Sequence, residues 1–523
     1  MIYREKNRHL VVFFRPKEVE IVFATVSSVS LFGLHGIQVG VEADIQTGLP
    51  SFEIVGLPAS AIREAKERVR SAILNSGYVW PRSRITINLT PADFRKEGSG
   101  LDLPIAIAIL VSSEQILPVT NRAVLLGELA LDGAVRTFRG LYAALSFALD
   151  MPHPIIIVPD SDEQSDELPF YQRIHMVENL SQTISILSGK LIPTREHPKK
   201  ITIITSFRKN YSEVFGQENV KRVLEIAATG HHHLIMYGTP GAGKTMLAER
   251  LPTILPPLDA TEKAQVKKIY SVAGLPYPPE NERPYRSPHH TISTSGLLGG
   301  GSTPRPGEVS LAHQGVLFLD EFPEFSRAAI EGLRQPLSIG EITISRSLYS
   351  YSFPSQFQLV AAMNPCPCGY YGSNTHPCTC SAQNIEMYQR KLSGPILDRI
   401  DLSVWVDGVP LRKIWESPSP TEDSSTIIRE RVLKSKTYAL ARANEHQELK
   451  KDGISIHQLE MNDHTVDIFI RFAESNHLSM RGADKLSRIA RTIADIDQSE
   501  WIKKEHLLEA MQYRMLQTDN RTN

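Results

Sequence analysis

One octapeptide restricts the folds open to this chain more than any other feature. It is GTPGAGKT, Gly238–Thr245, with an apolar run, HLIMY, before it and a helix-forming run, MLAER, after it. The spacing G-x-x-x-x-G-K-[ST] between a strand and a helix is that of a phosphate loop, and the chemistry explains each residue type. Gly238, Gly241 and Gly243 remove Cβ atoms, so that backbone N–H groups can wrap a phosphate. Thr239, Pro240 and Ala242 complete the turn. Lys244 neutralises the β and γ oxygens, and the Thr245 hydroxyl is a ligand for Mg²⁺. The expected ligands are ATP and Mg²⁺.

The surrounding sequence continues the pattern. Apolar runs (HLIMYG, GVLFLDE, FQLVAAMNP) alternate with helical segments, which predicts an α/β fold with a parallel sheet and crossover helices. GVLFLDEF, Gly315–Phe322, is a buried strand ending in two carboxylates. Asp320 is expected to hold Mg²⁺ and Glu321 to polarise the attacking water. The next strand ends in Asn364, placed to orient that water or sense the γ-phosphate. Hydrolysis also needs positive charge on the phosphate that leaves, and Arg399 (SGPILDRIDL) and Arg481 (LSMRGADKLSR) are the candidates.

Bulk properties narrow the class without naming it. Of 523 residues, 41% are hydrophobic and 22% charged, as in soluble globular proteins, and the length suits more than one domain. The net charge of −1 means that nucleic acid would have to meet a local basic surface. No run of eighteen apolar residues is present, so no membrane span is expected. The apolar patch Leu10–Phe14 is too short for a secretory leader, and a cytoplasmic location follows as the expectation.

Five segments are expected. Residues 1–20 read as a flexible charged extension, and 21–190 as a mixed α+β domain. Residues 191–210 are a basic, proline-bearing linker. Residues 211–410 form the phosphate-loop core and 411–523 a helical lid that includes the amphipathic KLSRIARTIADI, Lys485–Ile496. In the first domain, Ser60 and Gly77 are expected to cap a helix, LDLPIAIAILVSS to form a buried helix, and Asp132-Gly133 to turn a hairpin.

The wording of these motifs resembles one family, the ComM/YifB group of magnesium-chelatase-like AAA+ proteins. The resemblance rests on SVSLFGLHGIQVGVEADIQTGLPSFEIVGLP, NLTPADFRKEGSGLDLPIAIAIL, GTPGAGKTML, RPYRSPHHTIS, LAHQGVLFLDEFPEF, AAMNPCPCG, SGPILDRIDL and RIARTIADI, spread over roughly residues 24–515. It implies a hexameric AAA+ ring motor. Arg399 would be the finger that enters a neighbour's ATP site, and Arg481 the second sensor arginine. The substrate implied is DNA, single-stranded or branched, moved by ATP-driven branch migration. GEITISRSLYSYSF, Gly340–Phe353, would then be a pore hairpin with Arg346, Tyr349 and Tyr351 as DNA contacts, joined by Arg283, Arg286 and Arg305 of an insertion. The alternative that the same family implies is a chelatase-type ATPase driving a partner protein or metal insertion.

The N-terminal region resembles the Lon protease domain, whose peptidases use a Ser–Lys dyad. Here KEGSGLD puts the serine position on Gly100 or, with a gap, Ser99, and RGLYAAL puts the lysine position on Tyr142. Lys96 lies near Ser99, but no matched motif makes it the base. A scaffold without peptidase activity is expected.

All four cysteines fall in NPCPCGYYGSNTHPCTCS, residues 364–381. Cys366, Cys368, Cys378 and Cys380 form two C-x-C pairs, able to close a tetrahedral Zn²⁺ site with His376 as a spare ligand. Metal-free thiols and disulfides are the other readings. The run His231–His233 and the pair His289-His290 read as packing or hydrogen-bonding groups.

Overall fold

The computed structural model describes residues 24–96, 98–118, 123–160, 173–190, 209–279, 282–301, 304–345, 350–373, 376–409, 424–445 and 461–518. The proposed extension 1–20, most of the 191–210 linker, and Arg346 and Tyr349 of the hairpin lie outside them. The chain divides into two compact units, Met1–Leu31 with Gly36–Pro198 and Phe32–His35 with Lys199–Asn523.

The first unit is built on a seven-stranded mixed sheet. Its order is Ser51–Val55, Arg84–Thr90, His35–Gln46, Ala24–Phe32, Ala123–Leu125, Ile155–Pro159 and Ile174–Val177. The sequence suggests that the stretches around Gln46 and Ser51 are neighbours across a turn. In the structure Arg84–Thr90 lies between them, because its alternating ITINLT face buries Ile85, Ile87 and Leu89 completely. The run LDLPIAIAILVSS is a helix, Asp102–Ser112, buried from Asp102 to Val111. Pro104 sits in its first turn, where no helical N–H is lost. The expected helix after Ser60 is two helices, Ser60–Arg63 and Ala65–Asn75, with Ala59 rather than Ser60 at the N-cap. Gly77 does take a left-handed turn, with φ of 85°. The Asp132-Gly133 hairpin joins Glu128–Leu129 to Val135–Arg136, and the φ of 89° at Gly133 is what glycine supplies there.

The second unit is an α/β core. Five parallel strands run in the order Tyr285–Arg286, Val316–Leu319, Gln358–Met363, Leu234–Gly238, Leu402–Val406. The phosphate-loop strand therefore lies between two strands that follow it in sequence. Two strands escape the sequence reading. Tyr285–Arg286 is a two-residue edge strand, too short for a periodic signal. Leu402–Val406 hides between charged residues.

The C-terminal helices Ser425–Glu445, Asp463–Ser475, Met480–Ile496 and Lys504–Thr518 do not make a separate core. Ile428, Val432, Phe469, Leu486, Ile489 and Ile493 pack into the same apolar cluster as Leu234, Met236 and Leu247. The 3–4 spacing of Leu486, Ile489, Ala490 and Ile493 sets that buried face. Lys485 Nζ meets Asp401 Oδ1 at 2.6 Å, tying this helix to the start of the last strand.

Candidate nucleotide-hydrolysis site

The parallel register brings the carboxyl ends of four strands level. Leu319 pairs with Ala361, Tyr237 with Met363, and Gly238 with Val406. The residues that follow these ends converge, as ligand sites do at this edge of a parallel sheet. The helix Lys244–Ile254 starts here, with its N-terminal N–H groups and dipole favouring an anion.

The three loop glycines have different reasons to be glycine. Gly241 and Gly243 hold φ of 76° and 88° with open space where a Cβ would stand, so their requirement is conformational. Gly238 is the reverse. A Cβ there would lie 2.2 Å from Val406 O, so it is glycine because the neighbouring strand leaves no room. Strand packing, where clearance for a phosphate was expected, is thus its reason to be glycine.

Lys244 is 8% exposed, and its Nζ donates to Gly238 O (2.6 Å), Thr239 O (3.0 Å) and Asn364 Oδ1 (3.2 Å). Burial lowers its pKa, and the Asp320 charge opposes that shift. Thr245 Oγ1 donates to Asp320 Oδ2 at 2.9 Å, and Asp320 Oδ1 accepts from Glu321 N at 2.9 Å. Two oxygen donors this close are suited to share one hard divalent cation, so the residues fit Mg²⁺. Glu321 has φ of 50°, an uncommon backbone for a non-glycine residue and one that turns the carboxylate off the strand line. Its Oε2 lies 2.9 Å from His290 Nδ1. The His290 ring lies 4.1 Å from that of His289, tilted by 34°, and meets the Phe325 ring edge-on at 6.5 Å. The partnership of His290 with Glu321 is not readable from spacing, since 30 residues of insertion separate them in sequence.

The arginines lie elsewhere. Arg399 precedes the strand Leu402–Val406, whose far end pairs with Gly238. Four steps of strand span about 13 Å, so Arg399 stands at the opposite edge of the sheet from its own phosphate loop. Its Nε donates to Ser338 Oγ (2.7 Å) and Arg334 O (3.1 Å), and its Nη1 to Pro395 O (2.7 Å). Burial, then the charges of Arg334 and Arg481, lower its pKa, which places Arg481 within electrostatic reach. Arg481 is exposed near the start of the helix Met480–Ile496.

Two of the expected DNA contacts are corrected. Arg283 is 8% exposed and donates to Pro256 O, Gln314 O, Pro257 O and Glu262 Oε2, so it braces the fold. Arg286 makes a two-pronged pair with Glu308 at 2.6 and 2.7 Å. Arg305 is exposed on a short ribbon, Gly299–Gly300 with Arg305–Pro306. The strands Glu341–Ser345 and Ser350–Pro354 do pair as a hairpin, with Tyr351 half-buried.

The four Sγ atoms lie within 4.8 Å of one another, with contacts of 3.3, 3.6 and 3.7 Å among Cys366, Cys368 and Cys378. Four thiolates around Zn²⁺ at about 2.3 Å have S···S edges of about 3.8 Å, so donor set and spacing fit that ion. All four are free thiols in this structure. The backbone N–H groups of Tyr370 and Thr379 pull Cys368 down to about 5. His376 stands outside the cluster, its ring 5.0 Å from that of Tyr370. Of the other histidines, His232 bonds Thr492 at 2.9 Å, and His233 Nδ1 accepts from Leu359 N at 3.1 Å.

Among the described residues of the first unit no Ser–Lys dyad forms. Ser99 Oγ donates to Glu128 Oε2. Lys96 is fully buried, donates to Pro91 O, and lies 4.4 Å from the Phe94 ring centre. Tyr142 is half-buried in an apolar cluster.

Residues 210–414 match the family described as magnesium chelatase, subunit ChlI. Residues 41–162 match subunit ChlI of Mg-chelatase, and 422–514 match the magnesium chelatase, subunit ChlI C-terminal family. The YifB protein of Escherichia coli is 40% identical over 489 residues, 92% of this chain and 95% of that relative. Competence protein ComM of Haemophilus influenzae is 38% identical over 500 residues, 94% of this chain and 97% of its own length. Lon protease 2 of Bacillus subtilis is 24% identical over 238 residues, 39% of this chain. The sheet, the loop and the acidic pair define a magnesium-chelatase-like AAA+ ATPase. The chain belongs to the YifB/ComM family of that class.

No helix among the described residues is long and apolar enough to cross a membrane.

Proposed function

We propose that this chain hydrolyses ATP as a ring of identical subunits, six by family resemblance, and uses the energy to move or remodel DNA. The observation that carries the ring is the position of Arg399 and Arg481. Both stand away from the chain's own phosphate loop, at an edge where they can serve the γ-phosphate bound by an adjacent copy. In that arrangement Lys244 cradles the β and γ oxygens, and Thr245 and Asp320 hold Mg²⁺, which neutralises developing phosphate charge. Glu321 takes the proton of the attacking water, and Asn364 orients that water. The Cys cluster holds Zn²⁺.

DNA as the substrate is supported by the likeness to a competence protein and by the hairpin and the exposed Arg305. DNA contact falls to Arg305 and Arg346, since Arg283 and Arg286 are committed internally. The first unit serves as a scaffold for assembly or DNA handling. A cytoplasmic location goes with this reading. A chelatase-type ATPase acting on a protein partner is the rival, favoured by the family match itself.

The test is the ATPase rate with and without single-stranded, duplex and four-way-junction DNA, at low and physiological salt. Stimulation that weakens with salt and is lost in Arg346→Ala supports DNA. A flat response at every salt would move the assignment to the chelatase-type reading.

A further inference from the structure

We propose that the Zn²⁺ site of Cys366, Cys368, Cys378 and Cys380 is a clamp on the phosphate loop, setting the position of the groups that hydrolyse ATP. The inference rests on the reading of Gly238–Thr245 as an ATP site and goes further. It makes the metal a requirement for turnover rather than for folding alone.

The segment after Asn364 lacks the usual means of staying in place. Pro365, Cys366 and Gly369 are buried, but from Tyr370 to Met387 no described residue is. A stretch of that length without an apolar anchor would leave its ordering entropy uncompensated. Four convergent thiols supply a crosslink of the kind that structural Zn²⁺ sites use to order such loops.

The ordered loop then touches the nucleotide site at three points. Asn364 immediately precedes it, and its Oδ1 accepts from Lys244 Nζ at 3.2 Å. Gly369 abuts the phosphate loop, since a Cβ there would lie 2.7 Å from both Cδ and Cγ of Pro240. Pro367, between the first two cysteines, helps to line a cleft of about 420 Å³ that also includes Glu321, Asn364 and Tyr388. The cleft's other wall is the helix Ala382–Gln389, which begins just after Cys380 and whose Gln389 Nε2 donates to Pro365 O at 3.4 Å. One metal-closed loop thus joins the phosphate loop, the sensor asparagine and the wall facing the hydrolytic carboxylate. Chelation or thiol oxidation that ejects the metal releases all three together.

The experiment measures zinc by mass spectrometry in the full chain, beside ATP affinity and hydrolysis rate. About one zinc per chain is expected, with release by a mercurial thiol reagent lowering turnover about tenfold or more, the scale seen when a metal site's supporting shell is broken. Gly369→Ala leaves every sulfur intact. It is expected to retain zinc and, because alanine is strained at φ of 86°, to melt a few degrees lower, yet to lose turnover far beyond that shift, because its Cβ displaces Pro240. Cys378→Ser with Cys380→Ser should lose the metal. If that variant fails to fold, the mercurial titration of the wild-type chain and Gly369→Ala decide the matter. A wild-type chain that binds and hydrolyses ATP without zinc overturns the clamp, as does unchanged turnover after zinc release or in Gly369→Ala. A zinc-loaded chain that binds no ATP would instead overturn the nucleotide reading.

Discussion

The two units contain similar chemical ingredients and put them to opposite uses. In the second unit Lys244, Thr245, Asp320, Glu321 and Asn364 converge at one edge of a parallel sheet, each within hydrogen-bond reach of another member. In the first, a serine and a lysine lie three residues apart and do not meet. Lys96 is sealed in the core against Pro91 O and Phe94, and Ser99 is held by Glu128. A buried lysine with no serine in reach cannot activate a nucleophile, whatever fold surrounds it. The contrast shows that likeness to Lon carries architecture here, and chemistry only where the partners survive.

The comparison is broken most directly at the residues with the largest expected effects. Lys244→Ala should abolish ATP binding in calorimetry. Glu321→Gln should keep ATP bound and lower turnover by about 10²- to 10⁴-fold, the usual worth of a positioned base. Arg399→Ala should lower turnover by a similar or larger factor, on the scale of about 10³ for an arginine finger. Mixing Arg399→Ala chains with Lys244→Ala chains should restore part of the activity, since each supplies what the other lacks. An Arg399→Ala chain that hydrolyses ATP normally would remove the case for a shared site.

His290→Ala should act more gently. The His290–Glu321 contact is worth about 1 kcal/mol as a hydrogen bond, so turnover should fall roughly fivefold with ATP affinity unchanged. Acid should weaken the second unit. Burial holds His313 at about 4, below its ordinary 6.5, so the folded state binds fewer protons than the unfolded chain. Stability is therefore present above pH 6.5 and lost as pH falls toward 4. Burial pushes Asp401 up, but Lys485, His233 and His232 outweigh it and hold it at about 2, which extends the loss below its ordinary 3.8. Melting temperature against pH reads both. Ser99→Ala should be the mildest, costing about 1 kcal/mol for its hydrogen bond to Glu128 and leaving ATP turnover unchanged.

How much was legible in the sequence follows from the range of each signal. The phosphate loop, the acidic pair and Asn364 are local motifs, each anchored to the end of an apolar strand. The hairpin at Gly133 and the buried helix Asp102–Ser112 are local too. What escaped reading depends on distant partners. Gly238 is glycine because of Val406, 168 positions later. Arg283 and Arg286 look like phosphate ligands until Glu262, Glu308 and the nearby carbonyls are placed beside them. His290 finds Glu321 only once the sheet has formed. The strand Tyr285–Arg286 is defined by pairing with Val316 and Leu317 rather than by its own composition.

The most direct measurement compares ATP hydrolysis by the wild-type, Glu321→Gln and Ser99→Ala full chains under one set of conditions. The expected result is turnover in the wild type, the same turnover in Ser99→Ala, and bound but unhydrolysed ATP in Glu321→Gln. Hydrolysis that persists at the wild-type rate in Glu321→Gln would contradict the assignment of the second unit as the working site.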